Sequence, residues 1–164
     1  MPRVLTAPQE DGREGERTVL AEMRWSDPEP TPIAEAEARL REQITYVFHA
    51  VPYGWGVGKA LADALAPFEA EALAAAERQE WSFAALVGRI LLEEVLPAYQ
   101  QVRLFDPDQD LLLFLNRVAR HLRWIMPYLL RPDEYAAAAE ALADVWHTAH
   151  LLNEPLLAQG IDLM

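Results

Sequence analysis

Residues 105–126, FDPDQDLLLFLNRVARHLRWIM, read as a capped amphipathic helix, and that reading decides the fold class. Asp106 stands where an N-cap belongs, Pro107 at the first helical position, and Gln109 where its side chain can reach back to the cap. Leu111, Leu115, Val118, Leu122, Ile125 and Leu129 then recur at the three- and four-residue steps of a core-facing stripe. Beside it runs a second stripe, Phe114, Arg117, His121, Trp124 and Tyr128. A wholly solvated face rarely carries Phe, Trp and Tyr in step with Arg and His. The helix is therefore expected to touch its own core on one side and something else on the other.

The pattern on either side is also helical, with proline as the punctuation. Thr31-Pro32 opens a helix whose Ile33, Leu40, Ile44, Val47, Phe48 and Val51 share a stripe, and Pro52 ends it. The loop Tyr53-Gly54-Trp55-Gly56-Val57-Gly58 follows. A second helical region from Lys59 to about Gln79 is expected to bend or split at Pro67. Ser82 is placed to cap an apolar helix from Phe83 to about Tyr99, with Gly88 inside it. A glycine there costs about 1 kcal/mol against alanine, which points to another helix passing close by. Pro127 kinks or ends the two-stripe helix, and Pro132-Asp133-Glu134 starts a last one that reaches about Asn153. The expected fold is all-α, a bundle of about five helices over residues 31–164.

Residues 1–30 read differently, as an N-terminal extended arm or β-hairpin. Val19, Ala21, Met23 and Trp25 alternate with Thr18, Leu20, Glu22 and Arg24, and Val4-Leu5-Thr6 offers a partner strand. A hairpin alone is marginal in water and would have to pack on the helices or on another chain. The proline-rich run at 26–32 closes the segment as a stiff linker.

Composition narrows the function classes. The chain has 164 residues, enough for one sizeable core, and 52% of them are apolar, which argues against global disorder. It has no cysteine, which removes disulfides, thiolate catalysis and thiolate-ligated metals. The opening residues lack the apolar region of a secretory signal, and no run is apolar enough to span a membrane; the cytoplasm is the expected location. A net charge of −12 argues against nucleic acid as a partner. That charge is uneven. Residues 1–77 hold 7 basic and 14 acidic side chains, residues 78–131 hold 7 and 6, and residues 132–164 hold 6 acids with no Lys or Arg. Only the middle third can present a basic patch, from Arg103, Arg117, Arg120, Arg123 and Arg131.

Several constellations are candidate sites. His147 and His150 lie one turn apart with Glu154 a turn further on, a partial set for a divalent metal, although a polar solvated face explains the same residues. Neither Glu-x-x-His nor His-Glu-x-x-His occurs, so di-iron bundles and zincin proteases find no support. Glu93 and Glu94 sit in an apolar helix where a buried acid could do proton transfer, yet Arg89 four residues earlier supplies an ordinary ion pair. GWGVGK at 54–59 lacks phosphate-loop spacing and follows a helix, so it reads better as an interhelical turn.

The Phe114, Arg117, His121, Trp124 and Tyr128 stripe carries the favoured reading, because aromatics and Arg are enriched at interface centres. Its alternatives are an internal ion pair of Arg117 with Glu93, Glu94 or Glu140, and a small-ligand pocket near Arg117 and Trp124. The expected function is a helical interaction protein that is not an enzyme: an adaptor, regulator or assembly subunit that self-associates or captures a protein partner. A metal-binding bundle on His147 and His150 and a small-ligand sensor are the alternatives. No cofactor is called for.

Overall fold

The computed structural model describes residues 32–155 and residue 157; the expected arm or hairpin at 1–30 and the end of the tail lie outside the described residues. Five α-helices and no strand are found among them: α1 (Pro32–Ala50), α2 (Val57–Glu77), α3 (Trp81–Val102), α4 (Asp110–Ile125) and α5 (Pro132–Leu152). Short 3-10 turns at Arg103–Phe105 and Met126–Tyr128 flank α4. The chain divides into two compact units, residues 1–36 and 37–164, and every contact described below lies within the second. No helix is long and apolar enough to cross a membrane among the described residues.

The α3 helix is the hub. It packs against α2, α4 and α5, and α4 packs in addition against α2 and α5. Its apolar residues face nearly every direction, with Val87, Ile90, Leu91 and Val95 fully buried, as a helix surrounded by others requires. Neither Pro67 in α2 nor Pro97 in α3 divides its helix. Gly88 faces Leu122 of α4, and a methyl group there would lie 3.6 Å from the Leu122 Cβ, an ordinary contact. Leu111, Leu115, Val118, Leu122 and Ile125 line the inner side of α4, each buried almost completely. At roughly 1.5–3 kcal/mol for each fully buried side chain, this face is a main source of the fold's stability.

Helix ends depend on residues in unusual conformations. Gln79 and Asn153 adopt left-handed φ values of 61° and 56°. Each turns the chain so that the next N–H closes back on the helix, Glu80 to the Ala75 carbonyl at 2.9 Å and Glu154 to the Ala149 carbonyl at 2.8 Å. Both positions commonly hold glycine; here an amide side chain stands in.

The start of α4 differs from the expected cap. The helix begins at Asp110, after Gln109 in a left-handed conformation (φ 59°), and Pro107-Asp108 forms a turn before it. Asp106 still caps it, from outside: its carboxylate accepts the N–H groups of Leu111 (3.1 Å) and Leu112 (3.3 Å). Burial pushes this carboxyl above the usual aspartate range despite those donors. Gly58 makes room for it, since a Cβ at that position would fall on the Asp106 carboxylate. The Gly56 N–H donates to the Phe105 carbonyl (3.2 Å), and the Tyr53 ring meets Phe105 edge-on at 5.4 Å. The aromatic and glycine loop is thus an interhelical turn docked on the approach to α4.

Candidate interaction surface

The solvent side of α4 is a single stripe, Leu113, Arg117, Arg120 and Trp124, extended by Tyr128 in the turn that follows, and all five residues are exposed. The stripe expected from the sequence is rotated from this by part of a turn. Phe114 belongs to the core and is fully buried, and His121 is half-buried. Leu113 and Arg120 are the members that the sequence reading missed. Residues 113, 117, 120 and 124 follow helical spacing, which was the available signal.

Antiparallel packing brings the start of α3 to the end of α4, and Trp81 completes the surface. Its ring stacks on Tyr128 at 4.4 Å with an interplanar angle of 16° and meets Trp124 edge-on at 6.2 Å. Trp124 and Tyr128 lie 6.0 Å apart, and His121 adds a fourth ring 6.0 Å from Trp124. Such offset and edge contacts fix the rings relative to one another. Trp124 nevertheless remains 57% exposed and Tyr128 47%. Leu130, just beyond, is 93% exposed.

Charged side chains around these rings are mostly paired. Arg117 donates through Nε and Nη2 to both oxygens of Glu69 on α2, at 2.9 and 3.0 Å. None of the expected partners Glu93, Glu94 and Glu140 is involved. The Arg117 guanidinium also lies 5.8 Å from the centre of the Phe114 ring. Arg131 forks onto Asp133 at 2.9 and 3.1 Å, Arg78 onto Glu80 at 2.9 and 3.1 Å, and the Ser82 hydroxyl donates to Glu134 at 2.7 Å. Arg120 is exposed and has no ion pair among the described residues. Burial holds the His121 ring below the usual histidine range, with Glu69 nearby opposing that shift.

Glu93 and Glu94 are both ion-paired. Arg41 of α1 donates to Glu93 at 2.6 Å and to Glu94 at 2.7 Å, while Glu37 binds Arg41 at 3.0 Å and Arg89 at 3.3 Å. Arg89 returns to Glu93 at 3.0 Å, as its spacing predicts. Glu37, Arg41, Glu93 and Arg89 therefore form a closed ring of alternating charges that fastens α1 to α3.

The α5 residues are not drawn into one cluster. His147 and His150 are both exposed, flanking Trp146 with ring separations of 5.5 and 3.9 Å. The His150 Nδ1 lies 3.0 Å from the Trp146 carbonyl oxygen, which places its proton there. Glu154 is engaged elsewhere: the Tyr99 hydroxyl donates to it at 3.3 Å, and Arg103 lies 3.8 Å away. Burial, together with Glu154, pushes the Tyr99 phenol well above its usual range. Among the described residues no three His, Asp or Glu side chains converge on a point where a metal ion could be held.

No protein-family model matches the chain, and no match was found among the curated proteins or the solved structures.

Proposed function

We propose that this chain is a non-enzymatic helical interaction protein, an adaptor, regulator or assembly subunit, that docks a protein partner on the outer stripe of α4 together with Trp81. One observation carries the reading. Trp81, Trp124 and Tyr128 form a preorganised group of rings, held by helices, that still leaves about half of Trp124 and Tyr128 in contact with water. Rigid aromatic groups lose little entropy on binding and dominate the energetics of interfaces. The paired charges at the rim suit a polar border around an apolar centre. Arg117, already held by both oxygens of Glu69, is poorly placed to anchor a small anion, which favours a protein partner over a ligand pocket. The cytoplasm remains the expected setting.

The test is a photo-reactive phenylalanine derivative placed at position 124 in cells that make the protein, with a control at Glu42, an exposed position on α1. Irradiation is expected to give a discrete protein adduct at 124 and none at 42. No adduct at 124, or the same diffuse labelling at both positions, would contradict the proposal.

A further inference from the structure

We infer that the partner is a second copy of this chain, arranged about a two-fold axis so that the α4 stripe of each copy lies along the α5 stripe of the other. The inference rests on the interaction reading above and adds the identity of the partner. The two stripes carry opposite charges. On α4 the exposed residues are Leu113, Arg117, Arg120, Trp124 and, just beyond, Tyr128; Glu69 already neutralises Arg117, so Arg120 supplies the stripe's uncompensated positive charge. On α5 the exposed residues from the middle of the helix onward are Glu140, Ala143, Asp144, Trp146, His147, His150 and Leu151, with no Lys or Arg among them. Glu140 and Asp144, one turn apart, make no ion pair among the described residues, and neither does Arg120. Each stripe also presents bulky apolar groups, Trp124 and Tyr128 on one and Trp146 and Leu151 (82% exposed) on the other.

A chain with net charge −12 repels its own copies at long range, so self-association needs local charge order. A two-fold arrangement provides it twice. Arg120 of one copy faces the Glu140–Asp144 pair of its partner, and the reciprocal contact follows from the symmetry. The proposed pairing uses α4 and α5 together, two helices that are in contact within the fold. A two-fold pairing also closes, leaving no unsatisfied copy of either stripe to propagate a filament.

Sedimentation velocity on three proteins, each shown by circular dichroism to be folded, tests the arrangement: the parent, Arg120→Glu, and the double variant Glu140→Arg/Asp144→Arg. The parent is expected to run at twice its 18.5 kDa chain mass. Each variant, which puts like charges together at both contacts, is expected to dimerise at least tenfold more weakly. An equimolar mixture of the two variants is expected to regain dimer, because in the mixed pair both contacts are again between opposite charges. Native mass spectrometry should then find the hetero-pair in excess of either homo-pair. A monomeric parent, an Arg120→Glu variant that dimerises as the parent does, or a mixture that stays monomeric would each overturn the inference. A crosslink from position 124 to a different protein would overturn it too, while leaving the interaction reading intact; no adduct at all would remove both.

Discussion

The two sides of α4 both carry bulky apolar side chains but meet opposite surroundings, aliphatic residues in the core on one side and Leu, Arg and aromatic residues in solvent on the other. The inner side places Leu111, Leu115, Val118, Leu122 and Ile125 against α2, α3 and α5, where water does not reach them. Outside, Leu113, Trp124 and Tyr128 are held just as firmly by the same backbone, but each remains 40% or more exposed. Apolar area on the inner side stabilises the folded state; on the outer side it contributes only when something covers it. A helix that keeps large aromatics outward, ordered by stacking and flanked by Arg, has free energy available for association.

If that division is right, inner and outer substitutions should separate cleanly. Leu122→Ala empties a fully buried site opposite Gly88 and should cost roughly 2–5 kcal/mol in denaturant unfolding. Gly58→Ala comes next. Its methyl group would displace the Asp106 carboxylate from the N–H groups of Leu111 and Leu112, for a loss of about 1–3 kcal/mol. Trp124→Ala, on the outer side, should change stability by about 1 kcal/mol or less, because what is lost is ring contacts of a half-exposed side chain with Trp81, Tyr128 and His121. It should weaken association at least tenfold in the sedimentation assay. A Trp124→Ala protein that unfolds as readily as Leu122→Ala would erase the distinction between the two sides.

The smallest expected effect is a dependence on pH at the boundary between them. Burial keeps the His121 ring easier to deprotonate in the folded chain than in the unfolded one. The stability it contributes is therefore complete above the unfolded-state value near 6.5 and is lost as pH falls through that value toward the lower folded one. Melting temperatures at pH 7.5 and 5.5 should show a modest acid loss in the parent that His121→Gln reduces. Equal losses in the two proteins would place the acid sensitivity elsewhere.

Much of this architecture is legible in the residues. Pro52, Pro127, Pro132 and Pro155 mark helix ends, and the core stripe of α4 follows its spacing from Leu111 to Ile125. The outer stripe was harder to place, since adjacent helical positions differ by about 100° and Phe114 has the same chemistry whether it faces core or solvent. Its burial is set by α4's neighbours, which sequence spacing does not reveal. The same holds for the Arg117–Glu69 pair, 48 residues apart, and for Trp81, whose role depends on the antiparallel pairing of α3 with α4. Pro67 and Pro97 lie within continuous helices, so proline alone did not predict a break. Asp106 does accept first-turn N–H groups, but from outside the helix; the Pro107–Gln109 turn moved the helix start to Asp110 and put Gln109 at the cap position, where its side chain makes no cap bond.

If the outer side of α4 is covered when the protein is at work, oxidative footprinting inside cells should reveal it. Trp55, 76% exposed in the loop between α1 and α2, serves as an internal reference for Trp124 at 57%. In the isolated chain at high dilution both should oxidise readily. In cells Trp124 should be protected several-fold while Trp55 is not. Oxidation of Trp124 at the same rate relative to Trp55 in both settings would contradict it.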